Sequence, residues 1–533
     1  MAKISYFCVR GMRIKNPNIQ SSGTFFIYSL FVACLFLLWR GYEYMSGDQA
    51  EHLPLVLAKA DPTLFTRDYF VPYAREAFSI RHYYVLLVYA LSTVLPLSVV
   101  CFTLTMLSVA FSSWGIMRIT TALSLDRLAP FISPLMVLII FYGFTVGGNH
   151  IQYPTLISST IAKALAMWAF VFFFERKWRL MAVFLGLASL FQVLVGLQLF
   201  MIFWFVNLIT ERHDRWRTAW QTLLWFVLVS APMLMPILYR QFFHAVPYNK
   251  DLYYQILYVF RNHLHYIPSL FPAKAYYKLG GLVIATLPLL YLFRLKGDKQ
   301  KIVVMMGTIV LGLILYYVML EQVGWLVAGK LQWFKTTIWL NLLACVVISI
   351  VLSKMIQLIG HLYTMLAYLR NVVLVSVVLM ILVLLNSEDI PVAGMKERYQ
   401  VGRYPLGDLT KMHEWIRDNT PRDAVFLYSP DNSSFACQTQ RSSLIGYKAI
   451  IHEPFFLLPW YEKFSLIYQV DVMSVGESNA LEEATASYRE NYTSPHVLPY
   501  DYRIDRSDEC MFQDKLGPVV HRSGVYVLTM AQP

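Results

Sequence analysis

Residues 26–54, FIYSLFVACLFLLWRGYEYMSGDQAEHLP, place an apolar run directly before a short acidic segment. The run approaches the ~20 residues that an α-helix needs to cross the hydrocarbon core of a bilayer. It lacks a small-x-small cleavage site before the acidic segment, so we interpret it as an uncleaved membrane anchor. Asp48, Glu51 and His52 then follow just outside the predicted span.

Composition extends this interpretation to the whole chain. Hydrophobic residues make up 57% of the 533 residues and charged residues only 15%, which predicts a polytopic α-helical membrane protein. The fifth and sixth apolar runs form either one long tilted helix or a short hairpin broken near Gly196. We predict about eleven transmembrane helices, near residues 24–42, 83–111, 129–146, 157–174, 180–195, 197–209, 219–238, 278–294, 302–320, 334–353 and 371–386.

The basic residues predict an orientation for these spans. With the N-terminus in the cytoplasm, the predicted inner segments hold 18 Lys and Arg and the outer loops hold 9. Lys and Arg are retained in short cytoplasmic loops, so this distribution predicts a multi-pass protein of the inner (plasma) membrane with its C-terminal part outside. The net charge of +12 then reflects topology beside anionic lipid and requires no nucleic acid partner.

The chain divides into two predicted domains. Residues 1–386 form a transmembrane domain with an acidic first outer loop at 43–82, and residues 387–533 form an outward-facing, periplasmic α/β domain. In the second domain PLGDLTKMHEWIRDNTP, YEKFSLIYQV and ESNALEEATASYREN are typical of helices, while AVFLYS and GVYVLTM are typical of strands. Cys437 and Cys510 share this domain and either form a disulfide or remain thiols.

Two interpretations of the acidic segment remain open. Asp48 and Glu51 are three residues apart and share one face if the segment is helical, which suits a general base or a metal ligand at the membrane surface. Alternatively, Asp48 caps the helix QAEHLPLVLAKA and Glu51 completes a capping box.

Further polar residues are predicted at the same depth. Asn149, His150 and Gln152 lie in the short second outer loop, Lys163 lies about two turns inside the fourth span, and Lys335 flanks the start of the tenth. Cations near a carboxylate suit a membrane-anchored phosphate donor, because Lys or Arg holds phosphate while Asp activates an acceptor. Alternatively, Lys163 extends its ammonium to the interface and His150 is an ordinary interfacial histidine.

This layout resembles the GT-C superfamily of polytopic glycosyltransferases that use polyprenyl-phosphate-linked sugars. The resemblance lies in the acidic motif SGDQAEHLP after the first span, the array of spans and the outer C-terminal domain. It implies an inverting enzyme with Asp48 as catalytic base and Glu51 as a second candidate. No D-x-D or W-W-D element is present, so we favour a site without metal or another cofactor over one with a divalent ion.

The tail is similar to the C-terminal domain of a group of uncharacterised bacterial multipass proteins. The corresponding residues are Trp415, Arg417, Thr420, Pro421, Asp423, Arg441, Lys448, Trp460 and Tyr461. Arg441 and Lys448 are candidates to reach the donor phosphate, and the alternative is that both are surface or packing residues of the tail domain. The full set of predicted substrate and phosphate contacts is His52, His150, Gln152, Lys163, Lys335, Arg441 and Lys448.

The expected function is therefore transfer of a sugar from a polyprenyl-phosphate donor to a glycan, lipid or protein acceptor of the cell envelope, on the outer face of the bilayer. The first alternative is a transporter or flippase of a lipid-linked or anionic substrate. The second is a noncatalytic assembly protein whose outer domain binds an envelope partner.

Overall fold

The computed structural model describes residues 22–140, 145–211, 214–243, 247–292, 299–362, 407–471, 480–491, 498–510 and 515–531. The chain is mostly helical, with a small sheet region near the C-terminus. The first sixteen α-helices, α1 to α16, are Ser22–Arg40, Gln49–Ala60, Val71–Glu76, His82–Ser92, Leu97–Leu123, Ala129–Ile140, Ser158–Phe174, Trp178–Phe191, Val193–Thr210, Arg215–Phe243, Lys250–Tyr254, His263–Tyr266, Ala273–Leu292, Lys299–Tyr317, Leu326–Lys330 and Thr337–Leu362.

Several helices have the length and composition to cross a membrane, which indicates a membrane-embedded protein. In the described ranges there are seven, at Ser22–Arg40, Leu97–Leu123, Val193–Thr210, Arg215–Gln241, Ala273–Leu292, Lys299–Gln322 and Leu326–Gln357. Helices α4, α6, α7 and α8 are apolar but only 10–17 residues long. The count of eleven spans is not confirmed, and the predicted span at 371–386 lies outside the described residues.

The predicted second span, 83–111, is divided in the structure. Helix α4 ends at Ser92 and α5 begins at Leu97, directly after Pro96. Proline disfavours helical geometry in the residue before it and lacks the N–H that a continuous helix requires. The predicted span was continuous because apolar composition alone does not show the break that Pro96 imposes.

The fifth and sixth runs form two helices rather than one. Helices α8 and α9 meet at Gln192, whose extended backbone (φ −147°, ψ 102°) interrupts the helical path. Just beyond, Gly196 packs against Leu185 and Ser189 of α8, so closely that a Cβ would collide with both. The close return of α9 onto α8 agrees with the hairpin alternative.

Helices α7, α9 and α16 meet in an aromatic core. Phe173 and Phe203 stack at 4.4 Å between ring centroids, and Phe170 contacts Phe203 edge-on at 4.7 Å. Trp339 of α16 packs on Phe170 and is 1% exposed. This core fixes α7, which carries Lys163, relative to the start of α16, which follows Lys335.

The tail contains a five-stranded sheet and four helices within the described residues. Its strands β1 to β5 are Val425–Leu427, Ser442–Ser443, Tyr502–Arg506, Val519–Ser523 and Tyr526–Met530, and its helices α17 to α20 are Asp408–Asn419, Phe435–Thr439, Pro454–Tyr468 and Ala480–Glu490. The strand order is β2-β1-β3-β5-β4, with β1 parallel to β2 and β3 and the remaining pairs antiparallel. The three helices and two strands predicted from the tail sequence are all present.

The tail packs against the first loop. The backbone N–H of Tyr69 donates to the carbonyl of Ser443 at the edge of β2, and the N–H of Ser443 donates to the carboxylate of Asp68. Cys437 is a buried free thiol that contacts the backbone carbonyls of Gln49 and Ala50 in α2, so it forms no disulfide with Cys510. The first loop and the tail therefore share one end of the helical bundle.

A labelling experiment tests this arrangement and its orientation. We expect single cysteines at Glu76 in the loop and Glu482 in the tail, both exposed, to react with a membrane-impermeant maleimide in intact cells when the native cysteines are removed. Reaction of both only after lysis would reverse the predicted orientation. Reaction of one alone in intact cells would contradict the contact between loop and tail.

Candidate functional site

A polar cavity of about 200 Å³ lies near the contact between the first loop and the bundle. Its walls come from the first and second loops, α7, α9 and α12, and the segment that opens α16. Ionised groups beside apolar helices are costly and usually serve a pathway or a ligand. The lining residues are Asp48, Gly148, Asn149, Tyr153, Ile157, Ser159, Lys163, Gln192, Leu194, Val195, Gln198, His265, Lys335, Ile338 and Trp339.

Asp48 stands at the N-terminal end of α2, directly after Gly47, whose φ is +53°. The Asp48 side chain makes no capping hydrogen bond to α2, and its Oδ1 lies 2.8 Å from Nζ of Lys448 in the tail. Among the described residues, none donates a hydrogen bond to its Oδ2. The capping interpretation is therefore not what the structure shows, and one carboxylate oxygen remains available to a ligand.

Charges around Asp48 keep it ionised. The surrounding protein raises the pKa of the Asp48 carboxyl, which is the largest single effect, but the charge and hydrogen bond of Lys448 together with His52 and His265 lower that pKa by more in sum. The net effect holds the pKa of Asp48 below its usual range. Asp48 is thus an anion at neutral pH and has the capacity to accept hydrogen bonds through both oxygens, of which Lys448 occupies one.

Lys163 is a fully buried cation on α7, with 0% of its surface exposed. Its ammonium donates to Oδ1 of Asn149 at 2.6 Å and to the carbonyl of His150, and lies 4.4 Å from the centre of the Tyr153 ring. All three partners are neutral, and no described carboxylate forms an ion pair with Lys163. A charged ammonium at this position is hydrogen-bonded by the protein but not neutralised, so an anion in the cavity stabilises the charged form.

The second loop positions a second lysine beside this group. The side chain of Asn149 donates to the backbone carbonyl of Lys335 at 3.4 Å. Gly147, with φ of +77°, lies so close to Phe334 that a Cβ would stand 3.0 Å from its backbone. Only glycine adopts that conformation at that distance without strain, so Gly147 allows the second loop to fit against the segment that carries Lys335.

His265 is a cavity residue that the sequence analysis missed. Its Nδ1 lies 3.0 Å from the carbonyl of Gly147, and because a carbonyl only accepts, Nδ1 carries the proton and Nε2 has a free lone pair. Burial, reinforced by Lys335, lowers the pKa of His265 to about 4. The imidazole is therefore neutral at physiological pH. The only local signal was the pair of histidines in NHLHY, residues 262–266.

Glu51 and His52 lie outside the cavity wall. The Glu51 carboxylate pairs with the guanidinium of Arg81, and the two side chains are only 11% and 9% exposed. The ring of His52 packs on Tyr84 at 4.9 Å, and burial together with Arg81 lowers the pKa of His52 to about 4. The structure therefore pairs the Glu51 carboxylate with a buried arginine and places an uncharged His52 beside Tyr84, both away from the cavity.

The two other candidates in the second loop differ from Asn149. His150 contributes its backbone carbonyl to Lys163, while its ring contacts Tyr153 edge-on at 5.5 Å. Gln152 is partly buried. Neither side chain lines the cavity, whereas Asn149 and Tyr153 of the same loop do.

The two basic candidates in the tail have different positions. Arg441 is 4% exposed and donates to the carbonyls of Arg417 and Thr420 and to the Thr420 hydroxyl, so it packs within the tail domain and does not line the cavity. The side chain of Lys448 extends from the tail domain and pairs with Asp48 of the first loop. Lys448 therefore links the tail to the cavity.

Comparison with known proteins identifies part of the tail. Residues 407–467 match a family model described as a domain of unknown function, DUF6798. This DUF6798 segment includes Arg441, Lys448 and the rest of the tail pattern. No curated protein matches the chain significantly. The match carries no activity with it.

The cavity combines groups with complementary chemistry. Asp48, held by Lys448 of the DUF6798 segment, is an acceptor for a hydroxyl proton, while Lys163 and Lys335 supply positive charge for an anion. In the described ranges no three His, Cys, Asp or Glu side chains are grouped as a metal site requires. The arrangement suits a ligand that presents both an anionic group and hydroxyl groups.

Proposed function

We propose that this protein is an inverting membrane glycosyltransferase that transfers a sugar from a polyprenyl-phosphate donor to a hydroxyl group of an envelope acceptor on the outer face of the bilayer. The observation that supports it is the presence of Asp48, Lys163 and Lys335 on the walls of one cavity. A carboxylate and two lysines are the groups that activation of a hydroxyl and binding of a phosphate require.

The donor phosphate binds between the two lysines. Ile157 and Ser159, at the N-terminus of α7, also line the cavity, so the first amide groups of this 17-residue helix add to the positive potential. Lys163 lies one turn further along the same helix. The polyprenyl chain extends into the bilayer, and the phosphate is held at the membrane surface by Lys163, Lys335 and the helix end.

Asp48 accepts the proton when the acceptor attacks. The hydroxyl oxygen of the acceptor forms a bond to the anomeric carbon from the face opposite the phosphate, which inverts the configuration. The bond between that carbon and the phosphate oxygen breaks, and its electron pair leaves with the polyprenyl phosphate, whose charge the lysines stabilise. The hydroxyl proton passes to Oδ2 of Asp48, the oxygen that Lys448 leaves open.

Binding and turnover of a defined lipid test this proposal. The full chain in nanodiscs is mixed with undecaprenyl phosphate, and native mass spectrometry measures the bound lipid against undecaprenol as a control without phosphate. We expect saturable binding of the phosphate lipid and release of labelled sugar from polyprenyl-phosphate donors. Vesicles that accumulate the lipid-linked sugar without any covalent product would instead indicate a flippase.

Lys448 provides a prediction about pH. Replacing Lys448 with methionine removes the main interaction that lowers the pKa of Asp48, so that pKa rises. Because Asp48 acts as an anion, the acidic limb of the kcat/KM profile is expected to move to higher pH, with little change in the rate above it. Lys411→Met, at an exposed tail lysine paired with Asp408, is the control. An unchanged acidic limb in Lys448→Met would show that the Lys448–Asp48 ion pair does not control the pH dependence of the reaction.

A further inference from the structure

The tail contains a second candidate site at the carboxyl ends of its parallel strands. Strand β1 lies between β2 and β3 and runs parallel to both, so the carboxyl ends of β1 and β3 lie at the same edge of the sheet. After β1 the chain passes to β2 on one side, and after β3 it passes to β4 and β5 on the other. The crevice outside such a switch point is the usual ligand position in open α/β sheets.

A cavity of about 120 Å³ occupies this crevice. One wall follows β1 and contains Tyr428, Ser429, Asp431 and Asn432, and the opposite wall is built by β3 and the turn after it. A single water needs only about 10–15 Å³ by the same measure. The crevice is therefore large enough for several waters or for one small polar ring.

Two polar atoms in this cavity lack a protein partner. The Oγ of Ser429 and the Oδ1 of Asn432 are buried and bond to no group in the part of the chain that the structure describes. Buried polar atoms are normally satisfied, and leaving one without a partner costs about 1–3 kcal/mol. Because both atoms lie in the same crevice, a ligand that carries hydrogen-bond donors could supply both missing hydrogen bonds.

A chain of hydrogen bonds fixes the orientation of the Asn432 amide. Nδ1 of His413 lies 2.5 Å from Oε1 of Gln438, which only accepts, so this nitrogen carries the proton. Nε2 of His413 then accepts from Nδ2 of Asn432 at 2.9 Å. Burial lowers the pKa of His413 to about 4, so the neutral form persists at physiological pH. Asn432 is thus held with its oxygen as an acceptor.

The remaining walls distinguish between classes of ligand. Arg489 pairs with Glu509 at 2.7 Å, and Arg506 pairs with both Glu509 and Asp508 at 2.9 Å, so two carboxylates already balance the two cavity cations. Asp431 adds an exposed carboxylate, which disfavours an anion. Tyr428, Tyr488 and Tyr526 supply aromatic surface. Aromatic rings beside several fixed acceptors suit a neutral ring that carries hydroxyl groups.

We infer that this crevice binds a neutral sugar residue, with its hydroxyl groups donating to Asn432 and Asp431 and exchanging a hydrogen bond with Ser429. This inference stands on the tail alone and does not depend on the reaction proposed for the membrane cavity. Tyr428 and Asn432 also line the small crevice between loop and tail that includes Lys448. A glycan bound in the tail would therefore lie beside the approach to Asp48.

Saturation-transfer NMR on the full chain in nanodiscs tests the inference. The probes are the methyl glycosides of glucose, galactose, mannose and N-acetylglucosamine at millimolar concentration. We expect a saturation-transfer signal from at least one glycoside. The affinity for that glycoside should fall about ten-fold in Asp431→Ala and in Ser429→Ala, as expected for the loss of one hydrogen bond in each. Glu414→Ala removes an exposed acid of α17 outside the cavity and is the matched control.

The outcomes separate cleanly. The inference would be overturned if none of the four glycosides showed a saturation-transfer signal. It would also be overturned if the signal were equal in Asp431→Ala, Ser429→Ala and Glu414→Ala at unchanged melting temperature. Asp48→Asn is expected to retain full glycoside binding, because Asp48 lines the other cavity. Transferase activity retained in Asp48→Asn, together with retained glycoside binding, would therefore count against the proposed reaction alone.

Discussion

Replacement of Asp48 with asparagine is expected to lower the rate of sugar transfer by about 10²- to 10⁴-fold, the usual contribution of a positioned general base. Asparagine keeps the shape of the side chain and its carbonyl-like oxygen, but it cannot accept the proton of the acceptor hydroxyl. The loss should appear in kcat and leave donor binding nearly unchanged, because Lys163 and Lys335 hold the phosphate.

The local structure makes this substitution a clean test. Asp48 makes no capping hydrogen bond to α2, so the helix loses no cap when the carboxylate becomes an amide. The ion pair to Lys448 is lost, but the Asp48 side chain is 49% exposed, and ion pairs of this kind contribute only ~0–1 kcal/mol to stability. A melting temperature close to that of the unchanged protein is therefore expected, with activity reduced.

Two further variants identify the base. Asp61→Asn alters a half-exposed carboxylate of the same loop, which pairs with Arg422 of the tail and accepts hydrogen bonds from Thr63, and this variant should retain activity. His265→Gln removes the neutral imidazole whose Nε2 is also open to proton transfer. If Asp48→Asn retains activity while His265→Gln loses it, the base is the histidine. If both retain activity, a reaction that depends on proton removal in this cavity is contradicted.

The charged part of the cavity was accessible from the sequence because charge in an apolar segment is a local signal. Lys163 interrupts a run of apolar residues, and Asp48 follows the first run. Because an ionisable side chain is costly in a membrane, both residues could be recognised as candidate site residues without knowledge of the fold. Lys448 was selected from the tail pattern, and the structure brings it to Asp48. Their proximity depends on the docking of the tail, which no sequence spacing encodes.

The sequence also grouped residues that the structure separates, and in each case the reason is a partner that is distant in the sequence. Glu51 was grouped with Asp48 because they are three residues apart on one helix, but Arg81 approaches from another segment and neutralises Glu51. Arg441 was grouped with Lys448 by charge, yet backbone carbonyls of its own domain satisfy it. His265 was missed because its position depends on the return of the chain to Gly147. Partners distant in the sequence decide whether a charged residue faces a ligand.

Replacement of Lys163 with methionine is expected to raise the KM for the donor by about 10- to 100-fold, the equivalent of ~1.5–3 kcal/mol for a hydrogen bond to a charged group. Methionine has a similar length but no charge, so the donor phosphate loses one of its two lysines. Stability should change little. The carbonyl of His150 loses a donor, but a buried cation without an ion-pair partner is removed at the same time.

Lys301→Met is the matched control for this prediction. Lys301 is also buried, at 2% exposure of its side chain, but its ammonium pairs with Glu211 at 2.7 Å. Breaking that pair leaves a largely buried carboxylate with the more distant Arg176, at 3.7 Å, as its ion-pair partner, which costs up to about 3–5 kcal/mol of stability and should leave donor binding intact. The two variants are thus expected to show opposite patterns in melting temperature and in donor affinity. If Lys163→Met instead lowers the melting temperature as Lys301→Met does and binds undecaprenyl phosphate normally, Lys163 stabilises the second loop and another group holds the phosphate.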